Sequence, residues 1–315
     1  MDRICLTSLV FANLLLGACD FREFDSSDRY QSDFHSSYAM NPGARLEVEN
    51  FNGSVDIVSW DQSKCDVSGV KYASTANLRD RIKIEVHETG SGVSVRSVRP
   101  AGDFHGNIGV RYTIHVPRKV ELSRIVSSNG AIKVEQTEGR ADLKTSNGPV
   151  RVDSLTGSLT IQTSNGPVTV QNVTGGLSLR TSNGAIRAEH VREGIEASTS
   201  NGPITVQLDE STQPVTAPLK FESSNGRIDI TVSGSPKSEI RARTSNSGIT
   251  LRLPAEASAR VRAETSHGQV RSDFEGVDTS GDKRRRRQNF EGTIGGGGPL
   301  IDLHTTNGSI QLLKI

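Results

Sequence analysis

The chain contains many short stretches in which apolar and polar residues alternate. In one stretch of 18 residues, Val150 and Val152 alternate with charged residues, while Leu159 and Ile161 alternate with polar ones. Alternation with a period of two residues is typical of a β-strand with one buried face. The stretch therefore predicts two strands, joined by a turn at Leu155-Thr156-Gly157.

This unit is repeated along the chain. A Ser-Asn-Gly corner recurs every 18 residues from Asn129 to Asn201, and looser copies follow. A fixed short period of this kind indicates a repeat array. The predicted structural turn residues are Asn129, Gly130, Asn147, Gly148, Asn165, Gly166, Asn183, Gly184, Asn201, Gly202, Asn225, Gly226, Asn307 and Gly308.

Two topologies are compatible with the pattern. Asn-Gly between alternating runs is a strong signal for an antiparallel hairpin. However, Pro149, Pro167 and Pro203 directly follow Asn-Gly and have no N–H with which to close such a turn. The sequence thus favours an all-β fold, a parallel β-solenoid of about 18 residues per coil, in which the asparagines form a hydrogen-bonded ladder. We also expect positive φ at the corner glycines Gly148, Gly166, Gly184 and Gly202.

The remaining segments complete the domain organisation. We place the repeat solenoid at residues 127–315, with a basic loop inserted at 273–298. Residues 43–126 are rich in strand patterns but irregular, so we expect an N-terminal β region that caps the solenoid. If the final coil is exposed, molecules could stack end to end.

The N-terminus has the features of an export signal. An apolar run ends in Leu16-Gly17-Ala18-Cys19, which resembles the bacterial lipobox, in which the Cys is lipidated. We therefore predict a signal peptide at 1–18, lipidation at Cys19, a polar tether at 19–42, and a lipid anchor in the bacterial cell envelope, either periplasmic or surface-exposed. The alternative is an ordinary signal peptide that contains a cysteine.

Composition supports a thin repetitive core more than a compact enzyme. Aromatic residues make up 4% of the chain, and there are 31 glycines. The 37 basic and 36 acidic residues nearly cancel, so net charge does not identify a partner. Cys65 lies within a strand pattern, where we expect an inert thiol.

No motif for catalysis, metal binding or a cofactor is recognisable. The seven histidines lack metal-ligand spacing, and no nucleotide-binding loop or nucleophile elbow is present. Outward strand positions form an acid and amide column, which could belong either to a solvated charge ladder or to the catalytic groove of a glycan-active enzyme. We favour the ladder, because a basic residue stands two positions from several of the acids. The column comprises Glu135, Asp153, Gln171, Glu189 and Gln207.

One segment departs from the repeat in its charge. Lys283, Arg284, Arg285, Arg286 and Arg287 form a continuous basic run. Such a run suits an anionic partner, such as an envelope component or glycan. Because no aromatic residues are interleaved, nucleic acid is not expected. The alternative is a solvated loop.

Several segments together resemble a known family. They are NFNGSVDIVSW at 50–60, VRYTIHVP at 110–117, the repeated TSNG units, and IGGGGPLIDLHTTNGSIQL at 294–312. The chain resembles the bacterial putative-adhesin family of β-strand-repeat proteins, a domain of unknown function. The resemblance covers about residues 43–315 and implies an exported solenoid-like fold, with no ligand, cofactor or catalytic residue attached. We therefore expect a non-catalytic lipoprotein that presents a repetitive β surface. The alternatives are a structural scaffold and a glycan-active β-helix enzyme. The sequence leaves the oligomeric state open.

Overall fold

The computed structural model describes residues 30–102, 106–210, 219–275 and 288–315. The predicted signal peptide, Cys19 and the basic run Lys283–Arg287 lie outside the described residues.

The described chain forms strands and one short helix. In chain order they are β1 (Tyr30–Ala39), β2 (Arg45–Asn50), β3 (Val55–Trp60), β4 (Lys64–Ala73), α1 (Ala76–Arg81), β5 (Lys83–Thr89), β6 (Gly92–Val98), β7 (Ile108–Pro117), β8 (Glu121–Ser127), β9 (Ile132–Glu138), β10 (Ala141–Thr145), β11 (Val150–Thr156), β12 (Leu159–Gln162), β13 (Val168–Thr174), β14 (Leu177–Arg180), β15 (Ile186–Val191), β16 (Ile195–Thr199), β17 (Ile204–Leu208), β18 (Leu219–Ser223), β19 (Ile228–Val232), β20 (Ile240–Thr244), β21 (Ile249–Leu253), β22 (Ala259–Thr265), β23 (Val270–Ser272), β24 (Gln288–Ile294), β25 (Leu300–Thr305) and β26 (Ile310–Lys314).

The strands form two sheets of 13 strands each. Sheet A has the order β1-β4-β7-β3-β9-β11-β13-β15-β17-β19-β21-β26-β23. Sheet B has the order β24-β22-β25-β20-β18-β16-β14-β12-β10-β8-β2-β6-β5. In the regular part of the stack, each coil contributes one strand to each sheet.

Successive coils pair in parallel and in register, which confirms the predicted solenoid over the hairpin alternative. Val150 lies beside Val168, and Leu159 lies beside Leu177, each 18 residues further along the chain. Because equivalent positions of successive repeats lie side by side, apolar residues stack in continuous columns between the sheets. Their side chains are buried, and this thin aliphatic core extends the length of the stack.

The turn predicted at Leu155-Thr156-Gly157 is partly wrong. Leu155 and Thr156 belong to β11, and the Leu155 side chain is buried. Ser154 has a φ of 60°, which bends the strand and allows Leu155 to face the core after Val152. The same bend occurs at Gln136, Asn172 and His190. It adds a third inward position to each of these coils that simple alternation does not predict.

At the N-terminal end, the chain order and the stacking order differ. The coil formed by β2 and β3 lies between the coil of β8 and β9 and the coil of β6 and β7. Outside these, β5 pairs antiparallel with β6, β4 with β7, and β1 with β4. Residues 43–126 thus contribute two coils as well as antiparallel strands. Tyr30–Ala39, which we assigned to the polar tether, is instead strand β1.

The C-terminal end has a similar rearrangement. Strands β25 and β26 lie between the coil of β20 and β21 and the coil of β22 and β23. The last strands of the chain therefore form an interior coil and not the exposed final one that we considered. β24, inside the predicted insertion at 273–298, pairs antiparallel with β22 on the outside of sheet B.

Candidate interaction surface

The repeated asparagines form a ladder along one corner of the stack, as the sequence predicts. Each side-chain amide donates to the carbonyl oxygen of the asparagine in the neighbouring coil, at 2.6 to 2.7 Å. The ladder follows the stacking order and not the chain order, since Asn307 donates to Asn246. Its members are Asn129, Asn147, Asn165, Asn183, Asn201, Asn225, Asn246 and Asn307.

A buried hydroxyl under the ladder explains the first residue of the TSNG motif. Thr181 accepts a hydrogen bond from the N–H of Gly184 at 3.1 Å and donates to the carbonyl oxygen of Gly166 at 3.1 Å. Thr199 and Ser223 repeat both bonds in later coils. One side chain thus closes its own corner and binds the previous one. The hydroxyl residue recurs visibly in the sequence. The alternation of strand residues does not, however, indicate which groups this hydroxyl binds.

The corner glycines are required for a different reason from the one we predicted. Gly148, Gly166, Gly184 and Gly202 do not have positive φ, so that prediction is wrong. A Cβ at Gly166 would instead collide with the carbonyl group of Gly148 in the coil before it. Positive φ occurs in the opposite turn, for example at Gly157 (φ 140°). Close backbone stacking therefore leaves no room for a side chain at Gly166, although Ser247 takes the equivalent place after Asn246 in a later coil.

Beside the ladder, the outer side of sheet B carries two adjoining shallow depressions, which we call the polar groove. Their volumes are about 310 Å³ and 400 Å³, and they meet at Thr181. The first is lined by Lys144, Thr145, Ser146, Gln162, Thr163, Ser164, Arg180, Thr181 and Ser182, and the second by Thr181, Ser198, Thr199, Ser200, Glu222, Ser223, Ser224, Arg243, Thr244, Ser245, His304 and Thr306.

Hydroxyl groups and exposed basic side chains dominate the polar groove. The side chains of Arg180 and Arg243 are 54% and 51% exposed, although each also contacts a neighbouring carboxylate. Neither arginine is among the site residues predicted from the sequence. Both occupy the same position of the repeat, directly before the Thr or Ser of the corner. This recurring position could have indicated the two arginines from the sequence alone.

The acid and amide column on sheet A has the predicted register from Glu135 to Glu189, and the register shifts where Gln207 would continue it. Asp153 lies between Glu135 and Gln171, and Glu189 follows. Glu189 accepts hydrogen bonds from Arg187 at 2.9 Å and from Gln171 at 2.9 Å, and these bonds lower the pKa of its carboxyl group. The Asn172 amide donates to Asp153 at 2.9 Å. Glu189 and Asp153 are thus engaged by neighbouring side chains of sheet A.

The described residues also include one cysteine thiol and several groups that could bind a metal ion. Cys65 is buried in β4, and burial raises the pKa of its thiol to about 12, as expected for an inert cysteine. Within the described ranges, no three His, Cys, Asp or Glu side chains are placed to hold a metal ion. Among the same residues, no helix is long and apolar enough to span a membrane.

A comparison with protein families identifies the fold. The model of the family Toastrack DUF4097 matches residues 46–247, more than half of the 315-residue chain. The chain belongs to this toastrack family. The matched range begins in β2, at the N-terminal end of the stack, and ends at the corner that follows β20. It thus includes most of the ladder and the groove. No curated protein matches the chain.

Three solved structures resemble this toastrack chain. A putative cell adhesion protein from Clostridium sporogenes is 13% identical, with 90% of this chain and 100% of that chain covered and a TM-score of 0.25. A putative adhesin from Bacteroides fragilis is 16% identical, with 90% and 97% covered and a TM-score of 0.42. A putative adhesin from Parabacteroides distasonis is 11% identical, with 90% and 97% covered and a TM-score of 0.40.

Proposed function

We propose that this protein is an exported, lipid-anchored binding module of the bacterial cell envelope, which holds an anionic glycan in the polar groove without catalysing a reaction. The polar groove is the observation that carries the proposal. It places hydroxyl side chains at intervals of about 4.8 Å, one coil apart. Basic side chains are spaced more widely, and Lys144 and Arg180 are two coils apart. An extended polymer with repeating hydroxyl and carboxylate groups can follow such an array over several coils.

The charges of the groove favour an anionic polymer over a neutral one. Lys144, Arg180 and Arg243 line it together with the carboxylate of Glu222. Arg180 and Arg243 also contact Glu196 and Asp302, but both arginine side chains stay more than half exposed. Long-range attraction by partly exposed basic groups speeds association and is weakened by salt. The basic run Lys283–Arg287 is a second candidate contact for the same class of partner.

We propose the absence of catalysis because the acidic side chains on sheet A are held by hydrogen bonds to their neighbours. A glycoside hydrolase needs two carboxyl groups facing each other across the scissile bond. Glu189 is instead held by Arg187 and Gln171, and Asp153 accepts from Asn172. These contacts fix both acids within a structural ladder, which favours a binding surface.

Binding is tested with the mature chain on an array of anionic and neutral polysaccharides, at low and high salt. We expect binding to anionic members, lost in the double variant Lys144→Gln/Arg180→Gln. The matched control is Arg151→Gln/Arg187→Gln, which removes two positive charges from sheet A and leaves binding intact. Deletion of 283–287 measures the contribution of the basic run. Equal losses in both double variants would show that only net charge matters and would contradict the groove.

Catalysis and lipidation need separate measurements. Anionic and neutral glycans incubated with the protein should release no reducing ends or unsaturated products; turnover abolished by Asp153→Asn or Glu189→Gln would establish the enzyme alternative. Mass spectrometry of protein extracted from membranes should show an acylated N-terminal Cys19. Recovery of a mature chain with an unmodified Cys19 would contradict the lipid anchor.

A further inference from the structure

Within the described ranges of the chain, the two sheets have four edge strands, which differ in length and charge. β23 has 3 residues, and β5 and β24 have 7 each, whereas β1 has 10. Long, regular edges with few charges readily pair with another chain. β5 carries several charged side chains, but β1 has only Asp33 and the histidine His35 as titratable groups other than tyrosine. β1 is therefore the edge best suited to pairing with another strand.

The inner face of β1 has a sequence that reads the same in both directions. Because strand residues alternate between faces, Tyr30, Ser32, Phe34, Ser36 and Tyr38 share one face of this strand. The order Tyr, Ser, Phe, Ser, Tyr is symmetric about Phe34. In an antiparallel pair of two copies centred on Phe34, each Tyr30 lies opposite a Tyr38, and each Ser32 lies opposite a Ser36.

This face is also incompletely covered within one molecule. Sheet A extends two strands beyond β7, whereas sheet B extends one strand beyond β6. A cleft of about 440 Å³ lies at this end, lined by β1 together with β4 and β5. Phe34 and Tyr38 line the cleft and are only partly buried, and Tyr30 is 39% exposed. The cleft lining comprises Phe34, Ser36, Tyr38, Val67, Lys71, Ile84 and Val86.

From the symmetric face and the exposed edge, we infer that the protein forms a two-fold dimer by antiparallel pairing of β1 with β1 of a second copy. The two-fold axis passes between the two Phe34 residues. The pairing joins the two A sheets into one, and the tyrosines of each copy extend the apolar lining of the other copy's cleft. A two-fold interface uses the same patch on both partners, which a symmetric strand provides.

The outer face is compatible with the same register. Asp33 of one copy lies opposite His35 of the other, in addition to the contact of 2.8 Å between His35 and Asp66 within each chain. Arg79 donates from its guanidinium to the carbonyl oxygen of Gln31 at 3.2 Å, close to the beginning of β1. In the dimer, this long side chain would share that acceptor or move away from it.

Disulfide trapping tests the register. The double variant Ser32→Cys/Ser36→Cys, expressed as the full chain and oxidised, should give a covalent dimer, since residue 32 of each copy faces residue 36 of the other. Within one chain these positions are about 13 Å apart, too far for a disulfide. Ser32→Cys and Ser36→Cys alone should give only the background of the unsubstituted chain. Equal trapping by the single variants, or none by the double variant, would overturn the proposal.

Sedimentation equilibrium tests the strength of association without introduced thiols. The unsubstituted chain should show a concentration-dependent dimer. Tyr30→Lys removes two cross-strand aromatic pairs per dimer and should weaken dimerisation at least about tenfold. His87→Lys places the same charge on the β5 edge and should leave the dissociation constant unchanged. A chain that stays monomeric at all concentrations, or a dimer insensitive to Tyr30→Lys, would exclude β1 pairing.

Discussion

The middle of the stack and its two ends are made of similar coils but follow different chain routes. From β10 to β17, each coil lies between the coils before and after it in sequence. At the N-terminal end, the coil of β6 and β7 lies outside that of β2 and β3, although it comes later in the chain. At the C-terminal end, β25 and β26 are inserted inside the coil of β22 and β23.

The difference shows how a repeat stack can be closed. A regular array ends in unpaired strands and an open core, which must be protected. Here the chain goes outward, forms antiparallel strands, and returns to an inner position. The strands at each end therefore pair with coils that are not adjacent to them in the sequence. For example, β3 pairs with β9, and β26 pairs with β21.

The largest effect is expected from removing the inserted coil. Truncation after Gly298 deletes the buried side chains of Ile301, Leu303, Ile310 and Leu312. Each is worth about 1.5–3 kcal/mol, so stability should fall by roughly 6 kcal/mol or more. Hydrogen exchange should show lost protection at residues 259–272, because these strands lose their parallel partners, while residues 150–208 stay protected.

The control for the truncation is deletion of Ile315 alone, which is 57% exposed and should change little. If truncation after Gly298 left residues 259–272 protected, the inner position of β25 and β26 would be contradicted. Such a result would mean that coils at this end stack in chain order.

The second effect concerns the close stacking in the middle. Gly166→Ala places a Cβ against the backbone of Gly148, which cannot move without separating two coils. We expect a loss of about 3 kcal/mol or more in the free energy of unfolding. Gly176→Ala, in the opposite turn, meets nothing within 4 Å and should be neutral or slightly stabilising. Equal melting temperatures for the two variants would contradict this explanation.

These glycines also show how far the sequence could lead. Period-two alternation and the 18-residue spacing predicted the strands, the parallel register and the Asn ladder, because those follow from local pattern and stacking alone. The close approach of Gly166 to Gly148 depends on the distance between two coils, which no local pattern contains. The bend at Ser154 was missed because a polar residue with positive φ has no distinct signature in the alternation.

The ends were predicted least well for a related physical reason. Nothing in the alternation of β25 distinguishes an inner coil from an outer one, since both bury one face. Similarly, β1 was assigned to the tether because this stretch of the chain is polar and rich in Ser and Asp. The polar groove could have been predicted from the column of residues before each TSNG motif.

A smaller effect is expected at the buried hydroxyls. Thr163→Val removes the acceptor for the N–H of Gly166 and the donor to the carbonyl oxygen of Gly148, and leaves both backbone groups buried. The cost should be about 1–3 kcal/mol. Thr163→Ser keeps the hydroxyl, as Ser223 does naturally, and should cost less. Chemical denaturation of both variants checks the order; a Val variant as stable as the Ser variant would refute the role of the hydroxyl.

The smallest expected effect is a pH dependence of opposite sign at the N-terminal end and in the middle. Burial raises the pKa of Asp56 in β3, only partly offset by Lys133. Hydrogen bonds from Arg187 and Gln171 lower the pKa of Glu189 in β15. A raised carboxyl pKa means that the folded state holds its proton more firmly, so charging Asp56 opposes folding as pH rises. A lowered pKa means that Glu189 stabilises the fold above its unfolded pKa and loses this contribution as pH falls.

Urea denaturation of Asp56→Asn and Glu189→Gln between pH 3 and pH 7 separates the two contributions. Relative to the unsubstituted chain, Asp56→Asn should gain stability as pH rises, because it removes a carboxylate that is costly to bury. Glu189→Gln should lose stability over the same rise, because its partners Arg187 and Gln171 no longer meet a charged acceptor. At low pH, where the native carboxyl groups are protonated, both differences should become small. If both differences changed in the same direction with pH, the environments of Asp56 in β3 and Glu189 in β15 would act on their carboxylates in the same way. That result would contradict the contrast drawn from their contacts.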